Sequence, residues 1–360
     1  MEMKISEEIE TLRYRIDKLD EEILCLLNER AKLVLEMGEL KSKGRMELYD
    51  PVREEEILNR ITLINSGPFP SKAISYVFRE IVSACRFLVK PVCVAYLGPS
   101  ATHSYLACIE HFGSSIETSP KESIEEVFES VEKGESPFGV VPIENSIEGM
   151  VHRTLDMFME YEVRITGEIL LRISHDLLSQ SGNPGEIRRI YSHPQAFAQC
   201  RGFLRKNYPH VPLIETESTA KAAQMAKEDS FSAAISSSLS GRLYGLKTVS
   251  SRIEDFTHNY TRFLILGLKS PARTGKDKTS ILFSIPDQPG ALYQVLRVFS
   301  ERGINLKKIE SRPAKGRPWE YVFFIDFEGH SEDSMVKEAL SEIKRGVLFS
   351  KVLGSYPRRV

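Results

Sequence analysis

Cysteine is scarce in this chain, long apolar runs are missing, and net charge is close to zero. Five cysteines among 360 residues, at 25, 85, 93, 108 and 200, are odd in number and form no CxxC pair, which excludes a disulfide framework and a zinc ribbon. No apolar run approaches the ~18 residues of a membrane span, and the acidic opening MEMKISEEIE lacks the apolar core of a signal peptide, so a cytoplasmic protein is expected. Basic and acidic residues number 48 and 50, a net charge of −2, so no overall field attracts nucleic acid or an anionic membrane. Any anion must be held by a local cluster. His103, His152, His175 and His258 show no metal spacing, and there is no P-loop or GxGxxG. No metal or organic cofactor is expected.

What is present is an ordinary globular composition, 41% hydrophobic and 27% charged, in a length that calls for two or three domains. In the first 90 residues the apolar positions Ile9, Leu12, Ile16, Leu19, Ile23, Leu26, Leu33, Met37 and Leu40 alternate spacings of three and four, the seam of a long helix packed on other helices. Arg30 interrupts that seam, and a cation there is costly unless an anion meets it. Arg13 and Lys41 lie roughly 42 Å apart along one helix, too far for one small ligand, so an antiparallel partner subunit is implied. After Lys43-Gly44-Arg45, Asp50-Pro51 reads as the N-cap and first residue of a second helix, which Asn65-Ser66-Gly67-Pro68 ends. A third helix from about Ser71 carries Ile74, Val77, Phe78, Ile81, Val82, Cys85 and Leu88 on one face.

Pro91 breaks that helix, and strand-like and helix-like segments then alternate, as in an α/β domain with mostly parallel strands. Polar turns fall at the strand ends, where open sheets place ligands. They are Gly98 to Ser104, Glu144 to Gly149, Ser192 to Gln195, Glu217 to Thr219, and Thr261-Arg262 at the mouth of an apolar strand that Gly267 ends. Ser and Thr at helix starts make anion sites. A polar linker, Lys269 to Asp277, precedes a βαββαβ pattern of ferredoxin type: strands Thr279–Ile285, Ile304–Ser311, Trp319–Phe327 and Val347–Leu353 with helices from Gly290 and Ser331.

Three stretches resemble known families. The pattern L-R-x-x-I-D-x-L-D-x-x-[IL]-L-x-L-L-x-E-R, followed by K-x-K and D-P-V-R-E, resembles the all-helical chorismate mutases over residues 5–90. That resemblance implies a dianion site shared by two subunits, with Arg13 from the partner and Arg30, Lys41, Asp50, Arg53 and Glu54; Arg30 and Lys41 carry the catalytic load. Chorismate rearranges in one pericyclic step, so cations that hold both carboxylates freeze the reactive conformer. A donor at the ether oxygen stabilises the breaking bond. Near the end of the third helix the family has Gln or Glu for that contact, and this chain has Val89. One such contact is worth about 10²–10³ in rate. A slow or structural helical module is therefore the alternative.

Residues 92–268 resemble prephenate dehydratase through N-S-x-E-G (Asn145 to Gly149), S-H-P-Q (Ser192 to Gln195), S-T-A (Ser218 to Ala220) and N-x-T-R-F (Asn259 to Phe263). The resemblance implies two α/β lobes similar to periplasmic binding proteins. It implies a substrate site of Thr102, Glu144, Asn145, Ser146, Ser192, Gln195, Ser218, Thr219, Arg262 and Phe263, with Thr261 catalytic and assisted by a neighbour such as Glu144 or water. The first turn departs from the family: Ala101 replaces a glycine and His103 an aromatic residue. At positive φ, Ala101 is strained by roughly 1 kcal/mol.

G-A-L and E-S-R-P resemble the ACT domain of these dehydratases, implying phenylalanine as effector between subunits, at Gly290, Ala291, Leu292, Asn305, Glu310, Ser311 and Arg312. The expected protein is thus multidomain: an all-α unit (1–90), a two-lobed α/β dehydratase (91–268) and an α+β ACT domain (278–360). It is a homodimer or homotetramer acting on chorismate and prephenate, with no nucleic acid or membrane partner. Arogenate as substrate, and a non-catalytic small-molecule sensor, are the other readings.

Overall fold

The computed structural model describes residues 2–44, 46–313 and 321–358. In chain order the elements are α1 (Glu2–Lys43), α2 (Pro51–Ile64), α3 (Ser71–Val89), β1 (Cys93–Leu97), α4 (His103–Phe112), β2 (Glu117–Lys121), α5 (Ile124–Glu132), β3 (Phe138–Asn145), β4 (Gly149–Met150) and α6 (His152–Glu160). Next come β5 (Arg164–Arg172), β6 (Asp176–Ser179), β7 (Arg189–Ser192), α7 (Pro194–Gln199), α8 (Arg201–Asn207), β8 (Leu213–Glu215), α9 (Thr219–Glu228), β9 (Ser232–Ser236), α10 (Ser238–Tyr244), β10 (Lys247–Ser250) and β11 (Tyr260–Gly267). Last are β12 (Asp277–Ser284), α11 (Ala291–Glu301), β13 (Leu306–Pro313), β14 (Tyr321–Glu328), α12 (Ser334–Gly346) and β15 (Phe349–Pro357). The expected strand start at Trp319 lies outside the described residues. Among those residues no helix is long and apolar enough to cross a membrane.

One compact unit comprises residues 1–92 and 112–117. Here Asp50 caps α2 as its sequence foretold, its carboxylate accepting from Arg53 N at 3.0 Å. The side of α1 turned inward carries Leu27, Arg30, Val34, Gly38 and Lys41, all at least partly covered. Most of the apolar seam read from the sequence is uncovered in one subunit: Leu19 is 57% exposed, Ile23 54% and Leu33 65%.

The second unit, residues 93–111 and 118–360, holds three sheets. The first is six-stranded, in order β2-β1-β3-β11-β5 with β4 on β3; the second is β10-β6-β9-β7-β8; the third is β13-β14-β12-β15. The expectation of mostly parallel strands needs correction. Pairs β1–β3, β7–β8 and β7–β9 are parallel, but β11 runs antiparallel to both β3 and β5, and β6 antiparallel to both β9 and β10. The cause is connectivity. The chain leaves the first sheet at the end of β5, enters the second at β6, and returns by β11, so the entering strand β6 and the returning strand β11 oppose their neighbours.

The third sheet has the ferredoxin-like βαββαβ order. Ile281, Phe283, Phe323 and Ile325 face the helices α11 and α12, while Leu282, Phe324, Leu353 and Tyr356 join a core with Phe158, Ile165 and Leu264 of the first lobe. Strand alternation thus gives this sheet two buried faces. At Gly354 the backbone of β15 lies so close to Ile165 that any Cβ would overlap its carbonyl.

Candidate functional site

In the helical unit, Glu54 is the meeting point of charge. Its Oε1 lies 2.6 Å from Nη1 of Arg86, a guanidinium 7% exposed that sits over the ring of Tyr49. Burial raises the Glu54 carboxyl above its ordinary pKa, against the pull of Arg86 and, more weakly, of Arg30. The Nη1 of Arg30 is buried without a hydrogen-bond partner among the described residues. Arg13 is exposed and paired with Glu10 at 2.6 Å, and Arg53 with Glu56 at 2.9 Å. One subunit gathers Arg30, Asp50, Glu54 and Arg86 but leaves Arg13, 17 residues from Arg30, roughly 26 Å away along α1. Val89 packs on α1 at Gly38, where an added Cβ would overlap it, one turn before Lys41.

In the second unit a cleft of about 1050 Å³ is lined by residues of both lobes. Thr102, Asn145, Gln195, Ser218, Thr219, Thr261 and Phe263 stand on its wall. Four expected wall residues do not. Ser192 is fully buried, its hydroxyl donating to Ile235 O at 2.8 Å, and Ser146 ties its turn to the start of β11 by accepting from Tyr260 N at 2.9 Å. Glu144 and Arg262 are turned away for a geometric reason. Thr261 pairs with Asn145 and Arg262 with Glu144 across β11 and β3, and successive strand residues face opposite ways. The same alternation returns Phe263 to the cleft, and a register shift between Arg262 and Phe263 sets Pro142 opposite it on that wall.

On the rear face Arg262 Nε meets Glu168 at 2.8 Å, Nη1 meets Asp326 at 2.6 Å and Nη2 donates to Tyr356 Oη at 3.1 Å. Burial opposes its charge, but Tyr356, Asp326 and Glu168 outweigh it, so its pKa stands above the ordinary arginine value. Glu144 pairs with Lys308 at 2.5 Å. Neither residue is therefore a partner for Thr261 or an anchor for a carboxylate in the cleft.

Thr261 instead ends a directional hydrogen-bond chain. Asn145 Oδ1 accepts from the backbone amides of Ile147 (2.9 Å) and Glu148 (3.1 Å), which fixes its amide nitrogen toward Thr261 Oγ1 (2.9 Å) and Asn259 Oδ1 (2.8 Å). Asn259 Nδ2 donates to Gln199 Oε1 at 3.0 Å, and Gln199 Nε2 to Glu148 at 3.1 Å. His175 Nε2 lies 2.8 Å from the same Gln199 oxygen, so that nitrogen carries the proton. Burial lowers the pKa of His175, against the Gln199 bond and the charges of Glu254 and Asp176. Beside it, His103 is held to about 3 by burial, with His175 acting in the same direction. Both rings are neutral at pH 7.

Sequence reasoning missed Glu148, His175, Gln199 and Asn259. Two signals were available: Asn259 opens the N-x-T-R-F motif, and Gln199 follows Gln195 by one helical turn. At the far wall Ser218 caps α9 by accepting from Lys221 N at 3.0 Å, and His193 Nδ1 accepts from Gln195 N at 3.3 Å. Ala101 does adopt φ 68° and is buried. Among the described residues no group of three His, Cys, Asp or Glu side chains is set to hold a metal.

The expected effector residues are spread over the C-terminal domain. Gly290, at φ 82°, precedes Ala291 and Leu292 at the start of α11. Asn305 lines a hollow with Gly303, Glu328 and Asp333 beyond the other end of α11. Glu310 and Arg312 share a face of β13, and Arg312 engages Asp156 through Nε and Nη2, both at 2.7 Å, while Ser311 points oppositely and is exposed. One subunit does not bring these residues together, and Arg312 is already committed to Asp156.

Family models place these features. The model for type II chorismate mutase matches residues 12–89, that for prephenate dehydratase residues 94–271, and that for the ACT domain residues 279–345. The bifunctional chorismate mutase/prephenate dehydratase of Aquifex aeolicus is 49% identical over 98% of both chains, and that of Stutzerimonas stutzeri 44% identical over 99% of this chain and all of its own. Among solved structures, a prephenate dehydratase from Arthrobacter aurescens in complex with L-Phe superposes with a TM-score of 0.69 at 36% identity, covering 74% of this chain and 90% of that one. On this full-length similarity the chain belongs to the bifunctional chorismate mutase/prephenate dehydratase family, an enzyme family with both activities on one polypeptide.

Proposed function

We propose that the helical unit rearranges chorismate to prephenate and that the cleft converts prephenate to phenylpyruvate with loss of CO2 and water. The observation that carries the second step is the oriented chain ending on Thr261. Because Thr261 Oγ1 accepts from Asn145, its own proton is free to point into the cleft. Hydroxide is a poor leaving group and departs when such a donor protonates or strongly hydrogen-bonds it. Threonine is a weak acid, and the neutral His175 and the Asn145–Asn259–Gln199 chain supply a fixed polar surround in place of the Glu144 first expected. The ring carboxylate is lost against the apolar wall of Pro142, Val151 and Phe263. The pyruvyl carboxylate is anchored by the amides and hydroxyls at the start of α9, with Lys221 adding charge.

In the helical unit Arg30, Lys41, Asp50, Arg53 and Glu54, with Arg13 of a second copy, hold chorismate. The exposed seam of α1 supports that pairing. Val89 supports a second reading, a mutase slowed by a missing ether-oxygen donor, because it offers no polar atom and packs on Gly38. Phenylalanine acts through the C-terminal domain as a feedback effector, and a cytoplasmic homodimer or larger assembly completes the reading.

Prephenate turnover by Thr261→Ala is the direct test. A fall of about 10²–10³ in kcat, with chorismate consumption unchanged and Thr261→Ser partly active, is expected for a lost donor. Wild-type turnover in Thr261→Ala would remove Thr261 from the mechanism.

A further inference from the structure

The two residues that sequence similarity assigns to the cleft and the structure turns away share one fate: each is gripped by the C-terminal domain. Glu144 stands beside Asn145 on β3, and Arg262 beside Thr261 on β11, and the two are register partners. Behind Asn145, Lys308 of β13 reaches Glu144 at 2.5 Å, with Lys308 15% exposed. Behind Thr261, Arg262 meets Asp326 of β14 and Tyr356 of β15, and its partner Glu168 meets Lys278 of β12 at 2.7 Å. Ser280 donates to Asp326 at 2.5 Å and lies 2.7 Å from Tyr356, which closes the cluster. The strand that supplies Lys308 also carries Glu310-Ser311-Arg312, and Arg312 clasps Asp156 of α6, behind the cleft-lining Val151.

We propose that Arg262 anchors the Thr261 strand to the C-terminal domain in all states, and that the Lys308–Glu144 pair is the link through which the phenylalanine-bound C-terminal domain displaces Asn145. The idea rests on the reading of phenylalanine as effector. Its physical basis is that an extended strand cannot shift one residue without its neighbour. A movement of β13 of well under 1 Å that drags Glu144 changes the reach of Asn145 toward Thr261. The pair also suits a link better than a glue. It is a single contact at a partly exposed carboxylate, whereas Arg262 is held by three partners at once.

The test separates coupling from both catalysis and stability. Lys308→Met keeps the stem and removes the charge, Lys308→Arg restores it, and Lys308→Gln replaces the methionine variant if that does not fold. Prephenate turnover, its inhibition by phenylalanine, direct phenylalanine binding by calorimetry and thermal midpoint are measured on the full chain. The expected result is turnover within about threefold of wild type, binding retained, and at least a tenfold rise in the half-inhibitory phenylalanine concentration, reversed in Lys308→Arg. Unchanged inhibition in the charge-free variant overturns the link, as does loss of phenylalanine binding together with inhibition. A wild-type enzyme that phenylalanine does not inhibit defeats the effector reading itself, and the proposal with it.

Discussion

Position 89 gives a test of the helical unit at the scale of one residue. Val89 stands against Gly38, one turn from Lys41 on α1, at the position to which the resemblance assigns an amide or carboxyl. Val89→Gln is expected to raise chorismate consumption by about 10²–10³ if no other group covers the ether oxygen. An assay of chorismate loss with prephenate turnover as control reads the result, and a fast wild type unmoved by the change shows another donor at work. His103 makes a second prediction at this scale. Its folded pKa of about 3 lies below the ordinary 6.5, so the unfolded chain takes up its proton first. Stability from this group is complete above pH 6.5 and falls as pH drops toward 3, by at most about 1.4 kcal/mol per pH unit. The lowered His175 adds in the same direction. His103→Phe, which restores an aromatic ring, should flatten the decline of thermal midpoint between pH 6.5 and 5 while leaving pH 7.5 nearly unchanged.

Asp50 shows how an element boundary and a ligand site share one residue. Its carboxylate caps α2, and the same charge acts on the buried Glu54. Asp50→Ala should cost about 0.5–2 kcal/mol of stability in denaturant unfolding. Asp50→Asn keeps a capping oxygen, so it should preserve the midpoint yet slow chorismate turnover if the charge serves the substrate. Equal loss of stability in both variants would show the cap needs the charge. Strand β11 carries the other lesson of this scale. Its apolar run, ended by Gly267, was legible because branched and aromatic residues in a short run mark a buried strand. The register shift after Arg262 was not, because it depends on pairing with β3.

At the scale of the molecule, the exposed line of Ile9, Leu12, Ile16, Leu19, Ile23 and Leu26 is too long an apolar stripe for a lone helix in water. A second copy covering it would bring Arg13 to the far end of its partner's site. Leu19→Lys with Ile23→Lys should therefore convert the protein to smaller species in analytical ultracentrifugation and abolish chorismate turnover, with prephenate turnover largely kept. An unchanged sedimentation coefficient would rule out pairing through this face.

The division into a helical stretch, an alternating α/β stretch and a βαββαβ stretch was determined by the sequence alone. Periodicity, caps such as Asp50 and turns such as Ser218-Thr219 act over a few residues and need no distant partner. The motifs around Asn145, Ser192, Ser218 and Thr261 likewise pointed to the strand ends that line the cleft. Which member of each adjacent pair faces the cleft was decided only by tertiary structure. Thr261 and Arg262, or Asn145 and Glu144, are equally polar and equally near the strand mouth. Their directions follow from what packs behind the sheet, and that is the C-terminal domain, whose Asp326 and Lys308 offer the buried charges their partners. Gln199 and His175 likewise joined the site only through tertiary contacts. The hydrogen bonds that recruit them span 60 residues from Gln199 to Asn259 and 24 from Gln199 to His175, beyond the reach of any local pattern.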